Sequence, residues 1–274
     1  MRYVAIEKAK DNMVLAMPIY DSINRVLLAT GTIMTRDYIR KLKARGLPGF
    51  YVEDELAKDI EVQDIVTQEL RNEGVEALQR GDLDACMKVA ERIVEQILSR
   101  PPIRLDMIDL RMFDDYTYRH SVNVAVMSTV IALNLGFNKK KLKEVSISAM
   151  LHDIGIFLTH APGIQCFGTE PYICHGYLGA GLVRKEGFPR HALVCERHTG
   201  AGLSLKDIMD QKLPVPHREM LPVSMEEQVI CFADKFFSKT HLDREKTVEG
   251  ARKSIAKYGD EGLQRFNNWC KLFL

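Results

Sequence analysis

Leu151-His152-Asp153-Ile154-Gly155 closes an apolar helical run of the chain. Neighbouring positions of a helix are about 100° apart around its axis, so His152 and Asp153 can both reach a metal ion over the helix end while Leu151 and Ile154 face the core. A buried aspartate needs a partner or a cation to offset the loss of its hydration. Taken alone, the pair fits a metal site or a His–Asp hydrogen bond inside a core.

Further imidazoles and carboxylates along the chain favour the metal site. Each stands in an apolar or glycine-bearing context, and polar side chains on otherwise apolar helices indicate one interior site. Nitrogen-rich sites of this kind suit transition metals better than magnesium. The candidate ligands are His120, His152, Asp153, His175, His198 and Asp234. The remaining histidines, whose neighbours are polar or loop-like, are expected at the surface: His160, His191, His217 and His241.

Two stretches carry a family resemblance. The first is Asp115-Tyr-Thr-Tyr-Arg-His-Ser-Val-Asn-Val-Ala125, and the second is Leu151-His-Asp-Ile-Gly155. Both resemble the HD-GYP branch of the HD superfamily of metal-dependent phosphohydrolases. HD-GYP proteins are phosphodiesterases of cyclic dinucleotides. The complete set of ligands at fitting spacing is a specific signal, whereas a single histidine would be a weak one.

Four features depart from the HD-GYP pattern. Ile156 stands where these proteins usually carry lysine, Arg197 replaces the first residue of a His-His pair, and Tyr116 stands where the three-metal members place glutamate. Gly-Tyr-Pro is absent, and Thr199-Gly-Ala-Gly202 is similar instead to the turn of short HD hydrolases that act on nucleotides. The resemblance therefore implies the fold and the metal site more directly than the substrate.

The resemblance implies a two-metal centre in which Asp153 bridges the ions. His120, His152 and Asp234 complete the first site, and His175 and His198 complete the second. Iron or manganese are the divalent ions we favour, with zinc, nickel or cobalt as the others. Two ions roughly 3.5 to 4 Å apart activate a shared water and hold phosphate oxygens together, which hydrolysis of a phosphoester requires.

The expected activity is that of a metal-dependent phosphohydrolase or phosphodiesterase. Its small-molecule substrate would be a nucleotide-type phosphoester, of which a cyclic dinucleotide such as cyclic di-GMP is one form. Asp153 is the central catalytic group, and because Ile156 removes one lysine, we expect Arg197 and then Lys235 to meet the substrate's charge. The alternative is a degenerate HD module that binds a nucleotide or a protein in signalling without turnover. The intact ligand set favours the enzyme.

Composition restricts the class of protein further. The 274 residues, 46% hydrophobic and 27% charged, suffice for one sizeable core and a smaller appendage. The 38 basic and 37 acidic residues leave no overall positive field for a nucleic-acid polymer. Six cysteines without a Cys-x-x-Cys pair suit reduced thiols, and no signal-like or membrane-spanning segment is evident. We therefore expect a cytoplasmic protein without membrane insertion.

The pattern along the chain predicts a mainly α fold, with an all-helical HD-domain core and a small N-terminal α+β module. We divide it into the module at 1–55, a helical linker at 56–102 and the hydrolase domain at 103–274, since Pro101-Pro102 cannot continue a helix. The module lacks a nucleophile or a ligand cluster, which favours an interaction or spacer role over a sensor. The apolar faces of the linker helices fit packing on the core or a homodimer seam, and both stay open.

The predicted elements follow from apolar spacing and turn residues. In the module we expect a hairpin of strands 13–20 and 25–29, a helix capped by Thr35, and a strand at 49–52. A loop at 157–174, between two candidate ligands, is expected to cover the substrate. The expected helices span residues 56–80, 82–98, 103–113, 116–135, 139–154, 176–186, 190–197, 225–238 and 248–274.

Overall fold

The computed structural model describes the chain in segments, which its contacts group into two units. The described residues are 1–20, 26–45, 47, 49–54, 65–100, 117–164, 166–237 and 247–274. Those up to residue 54 form the first unit, and those from residue 65 onward form the second.

The first unit is an α+β module built on two antiparallel strand pairs. β1 (Arg2–Ala5) pairs with β4 (Gly49–Val52), and β2 (Ile19–Tyr20) pairs with β3 (Val26–Leu28). Apolar side chains of the strands and of the helix between β3 and β4 fill one core. This core consists of Val4, Ile6, Leu15, Ile19, Met34, Leu42, Phe50 and Val52.

The helix of this module, α1 (Arg36–Ala44), starts as the sequence predicts. The Thr35 hydroxyl accepts a hydrogen bond from the backbone N–H of Tyr38, which satisfies a donor that the first helical turn leaves open. The β2–β3 hairpin and the strand at 49–52 are confirmed as well, whereas β1 was not predicted. The strand expected at 13–20 was too long, because only its last two residues pair with β3.

The second unit is helical in its described residues apart from one short hairpin, β5 (His160–Ala161) with β6 (Cys166–Phe167). Its helices are α2 (Gln68–Arg80), α3 (Leu83–Leu98), α4 (Thr117–Asn134), α5 (Lys139–Leu151), α6 (His175–Lys185), α7 (Pro189–Arg197), α8 (Leu205–Asp210), α9 (Met225–Asp234), α10 (Val248–Ala256) and α11 (Asp260–Phe273). The mainly α prediction is confirmed. Among the described helices, none combines the length and apolarity that crossing a bilayer requires.

Helix α4 lies at the centre of the second unit. Every side chain from Arg119 to Ala132 is buried, as expected of a helix that is covered on all sides. It packs against α2, α5 and α9. The polar residues of this helix are therefore interior residues, and His120 is one of them.

Helices α2 and α3, which we placed in a linker, pack within the second unit. Arg71 of α2 is 1% exposed and donates a hydrogen bond of 2.7 Å to the Asn123 side chain of α4. Ser146 of α5 donates to the backbone carbonyl of Ala90 in α3. Of the two arrangements left open, packing on the core is the one observed for these helices. The division of the chain into three separate parts stays a prediction.

Several predicted helix ends needed correction. Helix α5 ends at Leu151 rather than Ile154, because the chain then tightens into hydrogen bonds between residues three apart. Helix α9 ends at Asp234, and the stretch from 248 is two helices that part at Gly259, whose φ of 121° no helix allows. Helix α8 was missed although Ser204 opens it with a capping box. The helix expected at 103–113 lies outside the described residues.

Candidate metal centre

The six candidate ligands meet in the interior of the second unit. Helices α5, α7 and α9 all end at this point, since His152 follows α5, His198 follows α7 and Asp234 closes α9. His120 comes from the start of α4 and His175 from the start of α6. None of the six is more than 7% exposed: His120, His152, Asp153, His175, His198 and Asp234.

The helix ends create a field that favours positive charge. Each helix C-terminus carries roughly half a negative charge from its unpaired carbonyl groups. Three such ends converge here, and each carries a histidine or an aspartate. The backbone and the side chains thus favour a cation at the same place.

Asp153 stands between two pairs of histidines. Its Oδ1 lies 3.1 Å from Nε2 of His198 and 3.4 Å from Nε2 of His175. Its Oδ2 lies 3.7 Å from Nε2 of both His120 and His152. The carboxylate therefore turns one oxygen to each pair, and the site consists of two groups of potential ligands that share one residue.

The spacing of these atoms fits metal coordination. Ligand atoms that share one ion at about 2.1 Å lie about 3.0 Å apart in octahedral geometry and about 3.4 Å apart in tetrahedral geometry. The Nε2 atoms of His175 and His198 are 3.0 Å apart, and those of His120 and His152 are 3.3 Å apart. Both pairs match the spacing that a shared ion would impose.

The tautomers of three histidines also fit a cation. The Nδ1 atoms of His152, His175 and His198 lie 2.6 to 2.7 Å from backbone carbonyl oxygens three residues earlier, and we assign the ring proton to Nδ1 on this basis. Burial lowers the pKa of His198, against the raising effect of Asp153, so this imidazole is neutral. Its Nε2 lone pair then faces the lone pairs of His175 and Asp153, and a cation between them turns repulsion into attraction.

Asp234 lies beside the first group, next to His120, and carries a lysine beside it. Its Oδ1 lies 2.8 Å from Nε2 of His120, and its Oδ2 lies 2.5 Å from Nζ of Lys235. Burial alone would raise the pKa of Asp234, but the Lys235 ammonium and a hydrogen bond from His120 hold that pKa well below its usual range. Asp234 is therefore an ionised carboxylate.

Gly155 explains why the His-Asp pair can approach His175. A Cβ atom on Gly155 would lie 2.3 Å from both the carbonyl oxygen of His175 and the backbone nitrogen of Gly179. The turn after Asp153 thus rests directly on the backbone of α6. Only glycine allows this contact, which brings the two histidine pairs to one carboxylate.

The two cations that we expected to meet a substrate lie in different places. Nζ of Lys235 touches Asp234 and lies 3.3 Å from the carbonyl oxygen of His198, so it borders the centre. Nη1 of Arg197 lies 2.9 and 3.1 Å from the carboxylate oxygens of Glu227, so its charge is taken up within the protein. Sequence reasoning missed Glu227, because nothing in the local pattern marks a buried partner 30 residues away.

The remaining histidines lie away from the ligand groups where they are described. His160 and His217 are exposed, as expected. His191 is partly buried instead, with Nδ1 2.5 Å from the Ser148 hydroxyl, in a cavity of about 260 Å³ between α5 and the starts of α7 and α9. None of the six candidate ligands lines this cavity. His241 lies outside the described residues.

Comparison with known proteins shows what the helical core is similar to. Residues 117–238 match the model of the HD domain family. The solved structure of an HDG"Y"P protein from Bdellovibrio bacteriovorus covers 98% of this chain and 99% of its own, with a TM-score of 0.50 and 17% identity, so that likeness concerns the fold alone. The HD resemblance drawn from the sequence is confirmed.

Relatives by sequence carry more than one function in their names. A cyclic di-GMP phosphodiesterase of Pseudomonas aeruginosa is 31% identical over 99 residues, which are 35% of this chain and 22% of that protein. A tRNA (cytidine(56)-2'-O)-methyltransferase of Thermoplasma volcanium is 28% identical over 167 residues, which are 60% of this chain and 45% of that protein. The chain spans between 22% and 60% of the length of the curated relatives it matches.

Proposed function

We propose that this HD-domain protein hydrolyses a nucleotide-type phosphoester at a centre of two divalent transition-metal ions, iron or manganese by preference. The observation that carries the proposal is the position of Asp153, whose two carboxylate oxygens face two different pairs of histidines. A single ion or a hydrogen-bonded core would require no such division. A carboxylate shared between two ions does require it.

In this proposal His120, His152 and Asp234 hold one ion, His175 and His198 hold the other, and Asp153 holds both. When bound, two such ions lower the pKa of a shared water and polarise the phosphoryl oxygens. The protein fixes the orientation of three of these imidazoles, because their Nδ1 atoms are hydrogen-bonded to backbone carbonyl oxygens. Burial of the centre strengthens each of these electrostatic interactions.

Lys235 is the cation that we place next to the reaction. Its ammonium joins Asp234, a ligand of the first ion, to the backbone of His198, a ligand of the second. It would fix the positions of these two residues relative to each other and add positive charge where the phosphoryl group binds. Arg197 ranks behind it here, since its bond to Glu227 ties α7 to α9 and so serves the placement of His198.

The substrate class rests on the relatives and on the departures from the HD-GYP pattern. The Pseudomonas relative is named for cyclic di-GMP hydrolysis, which supports a cyclic dinucleotide as one candidate. Against it, Gly-Tyr-Pro is absent and Ile156 is buried, so no cation reaches the substrate from that position. We therefore propose a phosphoester of a nucleotide in general. The methyltransferase name comes from a protein of which this chain covers less than half.

The second candidate is a domain that binds nucleotides or a partner protein without turnover. It is favoured by the bonding of Arg197 to Glu227 and by the burial of Ile156, which remove two of the expected substrate contacts. It has to explain why both groups of ligands are intact. We rank it second for that reason.

The test is a turnover assay on protein loaded with manganese or with iron. Substrates are a generic aryl phosphodiester, cyclic di-GMP, diadenosine tetraphosphate and nucleoside monophosphates. We expect hydrolysis of at least one nucleotide, loss of that activity in Asp153→Ala, and unchanged activity in His217→Ala, whose histidine is exposed and outside the centre. No hydrolysis by metal-replete protein would overturn the enzyme in favour of the binding domain. Cleavage of cyclic di-GMP alone would narrow the substrate to that compound.

A further inference from the structure

We propose that Tyr172 determines substrate specificity by stacking on a nucleobase. The inference rests on the proposed function, because it assigns a contact to the substrate of that same centre. Tyr172 belongs to the turn of residues 172–174 that leads into α6, and it precedes His175 by three residues. It is neither a candidate ligand nor part of the motifs that carry the HD-GYP resemblance.

The ring of Tyr172 lies between a candidate ligand and the surface. Its centroid is 4.8 Å from that of the His175 ring, and the two ring planes are inclined by 34°. His175 is 2% exposed, whereas Tyr172 is 40% exposed. The tyrosine therefore covers the imidazole with one part of its surface and presents another part to the outside, directly beside the second group of ligands.

Hydrogen bonds fix the main chain that carries this ring. The carbonyl oxygen of Tyr172 accepts hydrogen bonds from the Nδ1–H and from the backbone N–H of His175, the former at 2.6 Å. Pro171 precedes it and restricts the backbone dihedral on that side. A ring that already packs against the His175 imidazole loses less freedom when a ligand stacks on it than a ring without such a contact, so less of the stacking energy is lost on binding.

The segment between Asp153 and His175 carries most of the exposed aromatic side chains that are described in the second unit. Four large aromatic side chains of the second unit are exposed within its described residues, and three of them lie between Asp153 and His175 in sequence. They are Phe157, Phe167 and Tyr172; the fourth is Tyr258. Among these three, Tyr172 is the one whose ring contacts a candidate ligand.

A planar base is the substrate part that such a surface recognises. Stacking of one base on an aromatic side chain changes affinity by about 5- to 150-fold, whichever base is present, because every base has a π-face. A sugar phosphate without a base gains nothing from it. The proposal therefore predicts a preference for nucleotides over ribose phosphates, and places that preference in one side chain.

The experiment measures the Kd of GMP and of ribose 5-phosphate by calorimetry on manganese-loaded protein. Wild type should bind GMP more tightly than ribose 5-phosphate. Tyr172→Leu should raise the Kd of GMP by about fivefold or more while the Kd of ribose 5-phosphate stays the same, and Tyr172→Phe should retain the preference. Tyr258→Leu removes an exposed ring elsewhere on the second unit and should change neither value. Metal content should stay at the wild-type value in Tyr172→Leu, since the carbonyl that holds His175 remains.

Three results would overturn the proposal. The first is an equal rise of both Kd values in Tyr172→Leu, which would mean a structural role through His175. The second is a Tyr172→Leu variant in which neither Kd changes, and the third is a wild type that does not prefer GMP. Each of these results concerns binding and does not depend on turnover. An absence of hydrolysis with the binding pattern intact would refute the proposed enzyme and leave the role of Tyr172 standing.

Discussion

Replacing Gly155 with alanine would push a methyl group into the backbone of α6. The new Cβ would lie 2.3 Å from the carbonyl oxygen of His175 and from the nitrogen of Gly179, where ordinary contact begins at 3.4 Å. One of the two backbones must therefore move by about 1.1 Å, and α6 carries His175 at its first residue. We expect the free energy of unfolding to fall by about 1 to 3 kcal/mol, as for other overpacked sites. A displacement of about 1 Å at a ligand is expected to lower turnover about 100-fold.

The matched control, Gly181, lies in α6, the helix that Gly155 contacts. A Cβ on Gly181 meets no atom within 4 Å, so Gly181→Ala should stabilise the protein by about 0.5 to 1 kcal/mol through the better helix propensity of alanine. Urea unfolding gives both free energies, and elemental analysis after manganese loading gives the metal content. Loss of metal from Gly155→Ala but not from Gly181→Ala is the expected outcome. Unchanged stability and metal content in Gly155→Ala would refute the close contact between the two backbones.

Two further predictions concern stability. Burial lowers the pKa of His191, against the raising effect of Glu144, so the unfolded chain binds a proton more readily and stability is lost as pH falls below about 6.5. In urea unfolding between pH 7.5 and 5.5, His191→Gln should weaken this loss of stability, and the exposed His217→Gln should not. Equal pH dependence in wild type and His191→Gln would contradict this prediction. Arg71→Met should lower the free energy of unfolding by about 1 to 3 kcal/mol, because a buried hydrogen bond to Asn123 is lost. Arg92→Met removes an exposed ion pair and should change that free energy by less than about 1 kcal/mol, so similar losses in the two variants would contradict the prediction.

The helical core was predictable because apolar residues recur at helical spacing and the helix ends are marked. Asn138 caps α5 as its side chain suggests, and Gly81 adopts the left-handed conformation that ends α2. The candidate ligands stood out for a related reason. A histidine or an aspartate at the end of an apolar helix is buried away from water and needs a partner. Several such residues in one chain therefore indicate a shared interior site.

What the sequence could not supply are contacts between distant side chains. The pairing of Arg197 with Glu227 depends on how α7 packs on α9, and no local spacing encodes it. The same holds for His191, which a polar context placed at the surface but which packs against Ser148 of another helix. The segment at 157–174 contains a short hairpin, because its backbone groups pair with one another where a loop was expected. The assignment of the six residues as ligands stays a prediction of the sequence that the geometry supports.

The most direct test of the account is the number of metal ions bound per chain in two variants. Manganese-loaded wild type, Asp153→Ala and His198→Ala would be freed of unbound metal by gel filtration and measured by elemental analysis. The position of Asp153 between the two histidine pairs predicts about two ions in wild type, none in Asp153→Ala, and about one in His198→Ala, whose first group of ligands is intact. Equal metal loss in the two variants, or a wild-type protein that binds no transition metal, would contradict the shared-carboxylate centre.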